Sequence, residues 1–172
     1  MCIRDSEEGI YVGYRYFTTF GKKVSYPFGY GLSYTTFAYS KPVVKVTSDG
    51  FTASIIVKNT GDVEGKEIVQ LYITAPDGEL DKPVKELKGF AKTSMLKPGE
   101  SENLHFRVST YDLASFNEMQ SEWQTATGKY EIQFGSSVED IHATATFNNK
   151  KAFFKKANNV LKPNRELKEI KP

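Results

Sequence analysis

The chain has a single cysteine, Cys2, among its 172 residues. An internal disulfide is therefore excluded, and packing and hydrogen bonds must hold the fold. No apolar run approaches the ~20 residues a helix needs to cross a bilayer, so no membrane partner is expected. Met1–Ser6 lacks the apolar core of a secretory leader. The two histidines, His105 and His142, lie on separate segments, and no second His or Cys stands at ligand spacing. Both read as surface residues, and neither a metal nor a cofactor is expected. A glycine-rich phosphate loop is also missing. Gly29-Tyr30-Gly31 neither follows a clear strand nor opens a helix, and its aromatic neighbours would block a phosphate.

Charge of either sign is nearly balanced at +2, but it is unevenly spread. Residues 150–172 carry a net +6, residues 1–40 a net +1 and residues 41–149 a net −5. The basic end reads as a solvated tail, with its docking left open. A nucleic-acid partner is not expected, because its basic residues would be spread on a folded face with aromatics among them.

Aromatic rings are plentiful. Eleven of the 23 lie in the first 40 positions. Residues 26–34, YPFGYGLSY, hold four rings, two glycines and a proline with neither helical nor strand period. So much ring area on an irregular stretch must be buried against something large.

After Lys41-Pro42 the pattern changes to alternating strands with turn signals between them. Phe51, Ala53, Ile55 and Val57 alternate with polar residues. Lys66–Ala75 is apolar on both faces and reads as a central strand. Val84–Thr93 reads as a strand interrupted at Gly89. Leu104, Phe106 and Val108 share one face, as do Tyr130, Ile132 and Phe134, and then Ala143, Ala145 and Phe147. Tyr111–Phe116 reads as a short helical turn between sheets, and Trp123 as packing near a rim. About seven strands in roughly 105 residues predict an all-β fold, a two-sheet antiparallel β-sandwich of immunoglobulin or fibronectin-III type.

Catalytic constellations are absent from the pattern. Glycoside hydrolysis needs two carboxylates facing across a cleft. Glu7-Glu8 and Glu139-Asp140 are adjacent pairs, which a strand points to opposite faces. Asp77, Glu79 and Asp81 alternate in a loop whose spacing departs from a calcium loop. Ser136-Ser137 has no positioned base.

Glu8–Phe17 (EGIYVGYRYF) and Tyr26–Phe37 (YPFGYGLSYTTF) resemble the end of the α/β-sandwich domain of glycoside hydrolase family 3, the bacterial β-glucosidases in particular. Val57–Ile73, Lys82–Phe90, Leu96–Glu100, Asp112–Phe116 and Gly128–Ser137 are similar to the fibronectin-III-like domain that closes many of those enzymes.

The resemblance implies four parts. These are a ragged or foreign extension at 1–6, the end of the preceding domain with the junction at 7–40, a fibronectin-III-like domain at 41–149, and the tail at 150–172. It implies partners in the same polypeptide, a (β/α)8 barrel and an α/β sandwich, with an oligosaccharide as the parent enzyme's substrate. Neither catalytic carboxylate of the family has a counterpart here, so the chain is expected to be structural and inactive alone. Family analogy points to a periplasmic or secreted bacterial enzyme.

The junction residues expected from the resemblance are Tyr14, Arg15, Tyr26, Pro27, Phe28, Gly29, Tyr30, Gly31 and Tyr34. The rings would fill the interdomain seam, Arg15 would stack or hydrogen-bond within it, and either isomer of the Tyr26–Pro27 bond is open. The alternative is a ring contact internal to the sandwich. A free-standing carbohydrate-binding module and an immunoglobulin-like interaction domain are the alternative functions.

Overall fold

A computed structural model describes residues 9–158 and 160. The extension at 1–6, the Glu7-Glu8 pair and most of the tail, Leu161 included, lie outside the described residues. Chain order is α1 (Tyr14–Thr19), β1 (Phe37–Tyr39), β2 (Val43–Thr47), β3 (Gly50–Asn59), β4 (Ile68–Thr74), β5 (Glu86–Lys92), β6 (Ser101–Ser109), β7 (Ser115–Asn117), β8 (Glu122–Thr125), β9 (Gly128–Gly135), β10 (Ile141–Asn149) and β11 (Phe153–Lys156).

Two four-stranded antiparallel sheets form the sandwich. In the first, β3 pairs with β6 along one edge and with both β1 and β2 along the other. The second runs β10-β9-β4-β5. The alternation seen in the sequence sets the core. Phe51, Ala53, Ile55 and Val57 of β3 and Leu104, Phe106 and Val108 of β6 face Val69, Leu71 and Ile73 of β4 and Tyr130, Ile132 and Phe134 of β9. Each fully buried large side chain contributes about 1.5–3 kcal/mol relative to exposure. Gly89 does not interrupt β5. It pairs with Leu71, and the register shifts beside it as Tyr72 pairs with Leu87. This bulge bends the edge strand.

The β4 strand differs from its neighbours because both of its faces are covered. Gln70 and Tyr72 point away from the sandwich core and are buried all the same. They are covered by α1 and by the segment that follows it.

One further sequence expectation needs correction. Tyr111–Leu113 is a turn, but Ser115–Asn117 is strand β7 and not part of a helical turn. The β7 strand pairs with β8, and β8 with β11, giving a third sheet beside the sandwich. Phe153–Lys156 of the basic tail is thus docked as β11 and not free in solvent. Tyr111 anchors it, edge-on to Phe153 at 6.0 Å and beneath the Lys155 ammonium at 4.6 Å. Trp123 does pack at the rim, in this third sheet.

Asn59 ties the open end of the first sheet. Its side-chain oxygen accepts from the Thr35 hydroxyl at 2.7 Å and the Gly61 amide at 3.0 Å. Its amide donates to the carbonyls of Val63 and Leu96, both at 2.8 Å. Its backbone N–H donates to Glu100 O and its carbonyl accepts from Gly99 N, each at 2.9 Å. Asn59→Ala would leave several buried groups unsatisfied, a loss of about 3 kcal/mol. Thermal denaturation should register a fall of roughly 6–12 °C in Tm; an unchanged Tm would show that water takes over these bonds.

Candidate functional site

The site begins with the one-turn helix α1. Its C-terminal end is closed by glycine. Gly21 sits at φ 60°, Lys22 N–H donates to Phe17 O at 2.8 Å, and Gly21 N–H donates to Thr18 O at 3.4 Å. These are the two bonds of a Schellman stop. The helix lies on β5. Leu87 N–H donates to the Tyr14 hydroxyl at 2.7 Å, and Val84 N–H to Thr19 Oγ1 at 3.1 Å.

YPFGYGLSY follows and is pinned at its centre. Tyr30 N–H donates to Pro27 O at 3.0 Å, closing a turn with Gly29 at φ 83°. Only glycine enters that region without strain. The Gln70 amide reaches out from β4 and donates to Gly29 O at 3.3 Å and Ser136 O at 2.5 Å. Its own oxygen accepts from the Tyr72 hydroxyl at 2.5 Å. Phe28 O accepts from Val138 N–H at 2.9 Å. Burial, with Tyr14 beside it, holds the Tyr72 phenol well above its ordinary pKa, so it remains a donor.

The rings divide into two sets. Tyr14 and Phe28 stack at 4.7 Å, and Tyr14 meets Tyr72 edge-on at 6.0 Å. The others project outward. Tyr26 is 73% exposed, Tyr30 51%, Leu32 89% and Tyr34 101%. A groove of about 250 Å³ between Phe17, Val24, Tyr26 and Val138 runs alongside them.

The remaining expected junction residues behave differently from one another. The bond before Pro27 is trans. Gly29 lies against Gln70, whereas Gly31 has open space around it. Arg15 pairs with Glu86 at 3.0 Å, because α1 turns it toward β5. Sequence reasoning missed Gln70 and Tyr72; the apolar-on-both-faces pattern of β4 was their only signal.

The other titratable groups form no catalytic arrangement. The Ser136 hydroxyl donates to the Asp140 carboxylate at 2.5 Å, and His142 meets the same carboxylate oxygen at 3.1 Å, so no imidazole touches the hydroxyl; the Ser136 bond holds the Asp140 carboxyl below its ordinary range, which makes it a weak base. His142 lies flat on Tyr39 at 4.4 Å. Among the described residues no three His, Cys, Asp or Glu side chains gather as metal ligands, and no helix is long and apolar enough to cross a membrane.

The fold and its covered face define a class. Residues 67–138 match the fibronectin type III-like domain family, and the chain carries a domain of that class. It is 44% identical over 142 residues to a β-glucosidase of Kluyveromyces marxianus, covering 81% of this chain and 17% of that protein. It is 42% identical over 158 residues to β-glucosidase A of Butyrivibrio fibrisolvens, covering 79% and 19%. The crystal structure of β-glucosidase 3B from Thermotoga neapolitana in complex with glucose superposes with a TM-score of 0.83 at 46% identity, over 86% of this chain and 20% of that one.

These relatives are family 3 glycoside hydrolases of the β-glucosidase type, and this chain corresponds to their C-terminal part. It spans about a fifth of their length. In them, the rest of the same polypeptide accompanies this region.

Two measurements probe the site. A Cβ at Gly29 would overlap the Gln70 amide and meet an unfavourable φ. Gly29→Ala should therefore raise amide exchange across residues 26–34 while core strands stay protected; equal protection would overturn the pinning role. Glu67 supplies the second. Burial lifts its carboxyl above the ordinary range, opposed by the Ile68 N–H and by His142, with Asp140 adding to the rise. The folded state then holds this proton more tightly than the unfolded chain, so stability declines as pH rises from the ordinary carboxylate value through the raised one. Glu67→Gln should raise Tm at neutral pH and leave it unchanged in acid, as denaturation at two pH values would show.

Proposed function

We propose that this chain serves as the C-terminal accessory part of a retaining family 3 β-glucosidase that hydrolyses terminal β-D-glucosyl residues. Its own role is structural. The two carboxylates that such hydrolysis requires belong to the barrel and α/β-sandwich domains of the same polypeptide, and residues 7–40 form the seam to them. Tyr26, Pro27, Phe28, Gly29, Tyr30, Gly31 and Tyr34 make the contact, with Tyr14 as support from behind.

One observation carries this reading. An outward row of large apolar side chains stands on a backbone that is hydrogen-bonded down to the sandwich. Exposed rings on a loose loop would collapse onto the nearest surface. Rings on a pinned turn are held out for a partner.

The test is complementation. The chain alone should not hydrolyse an aryl β-D-glucoside. Mixed with a Thermotoga neapolitana β-glucosidase 3B truncated of its matching C-terminal part, it should bind and raise activity. Tyr26→Ser combined with Tyr34→Ser should weaken that binding about tenfold or more, while the melting of the isolated chain stays unchanged. Hydrolysis by the chain alone, or binding indifferent to these substitutions, would overturn the proposal.

A further inference from the structure

A second cleft, of about 380 Å³, contains none of Tyr26, Tyr30 and Tyr34 and is lined by Ile10 and Arg15 of the covering segment, by Pro83, Glu86 and Lys88, and by the β7–β8 sheet. One wall is aromatic. Phe116 and Trp123 stand opposite each other across the β7–β8 ladder, with ring centroids 5.3 Å apart and planes at 58°. Tyr111 closes the corner, 5.8 Å from Trp123 and edge-on to it. Tyr111 and Phe116 keep 42% and 36% of their surface exposed. The docked tail holds this wall in place, with Phe153 and Lys155 against Tyr111.

The facing wall is charged. Glu86 bridges Arg15 at 3.0 Å and Lys88 at 3.2 Å. Asp81, Asp112 and Glu118 complete the rim. Four carboxylates against two cations disfavour a phosphate or another anion. An apolar ligand would take water from the charged groups and offer them no hydrogen bond in return. A neutral polyhydroxylated ring suits both walls. Its C–H face lies on an aromatic ring, and its hydroxyls donate to carboxylates and accept from the guanidinium and ammonium groups. A pyranose whose hydroxyls are all equatorial offers the flattest C–H faces, and β-glucosides have that shape.

We propose that this cleft is a saccharide-binding subsite for β-glucosides, with Phe116 and Trp123 as its platform and Glu118 as a hydroxyl acceptor. The inference rests on the cleft's chemistry and stands or falls separately from docking at the junction row.

Trp123 is the only tryptophan of the chain, so its fluorescence reports this cleft alone. Cellobiose titrated into the full chain should shift Trp123 emission saturably in the millimolar range. Methyl β-D-galactopyranoside, with one axial hydroxyl, should act several-fold more weakly than methyl β-D-glucopyranoside. Phe116→Ala should cut the cellobiose affinity about tenfold, and the exposed Tyr34→Ser should leave it unchanged.

Should Phe116→Ala fail to fold, Glu118→Gln keeps the ring wall and should still weaken binding a few-fold. No saturable shift up to the solubility limit of cellobiose would overturn the proposal. So would binding that ignores both variants, or a stronger response to choline, the mark of a cation cage.

Discussion

The buried outer face of β4 is the constraint on which the arrangement rests. A sandwich strand normally turns one face to the core and the other to water. Here Gln70 and Tyr72 point outward and are nonetheless buried. A buried amide must find partners, and Gln70 finds them in Gly29 O, Ser136 O and the Tyr72 hydroxyl. That requirement fixes the turn at Gly29 above the sheet. With the turn fixed, Phe28 is drawn under Tyr14, and its neighbours have nowhere to go but outward.

The consequence is a division of labour within nine residues. Inward contacts make the segment part of the sandwich. Outward rings give it an exposed apolar surface, the one proposed above to meet another body. The two readings weighed from the sequence, a seam and an internal contact, are therefore not exclusive in geometry: Phe28 and Gly29 make the internal contacts, and Tyr26, Tyr30 and Tyr34 are left outside. The third sheet repeats this logic on a smaller scale. The β11 strand supplies Phe153 and Lys155 to hold Tyr111, and Tyr111 in turn braces Trp123.

Legibility in the sequence followed strand length. The β3, β6, β9 and β10 strands run eight to ten residues, long enough for a period of two to show, and their inward apolar residues were readable, though buried Asn59 and Asn149 at the strand ends were not. The β7, β8 and β11 strands have three or four residues, too few to display any period. Lysine-rich β11 in particular looks like solvated tail until its pairing is seen. The ring partners of Trp123, Tyr111 and Phe116, were hidden because they lie several residues away in sequence, across a turn. The pairing of Arg15 with Glu86 was hidden for a similar reason: a single helical turn between Gly13 and Gly21 decides which way Arg15 points, and one turn leaves no periodic trace. In residues 26–34 the ring content was legible from composition alone, but the Gln70 amide that positions the segment was not, since β4 signals two covered faces without saying which side chain holds the cover.

The separation of core from covering has an energetic consequence. No residue of 9–34 belongs to the apolar cluster between the two sheets. Loss of the covering segment would expose the outer faces of Gln70 and Tyr72 but leave that core intact. The sandwich and the junction are thus distinct units of stability, joined by a few hydrogen bonds worth about 1 kcal/mol each. A partner pressing on Tyr26, Tyr30 and Tyr34 would therefore tighten the segment far more than the sandwich. Such a design suits a bracing domain: a rigid body that does not depend on its neighbour, carrying a thin adhesive layer that does.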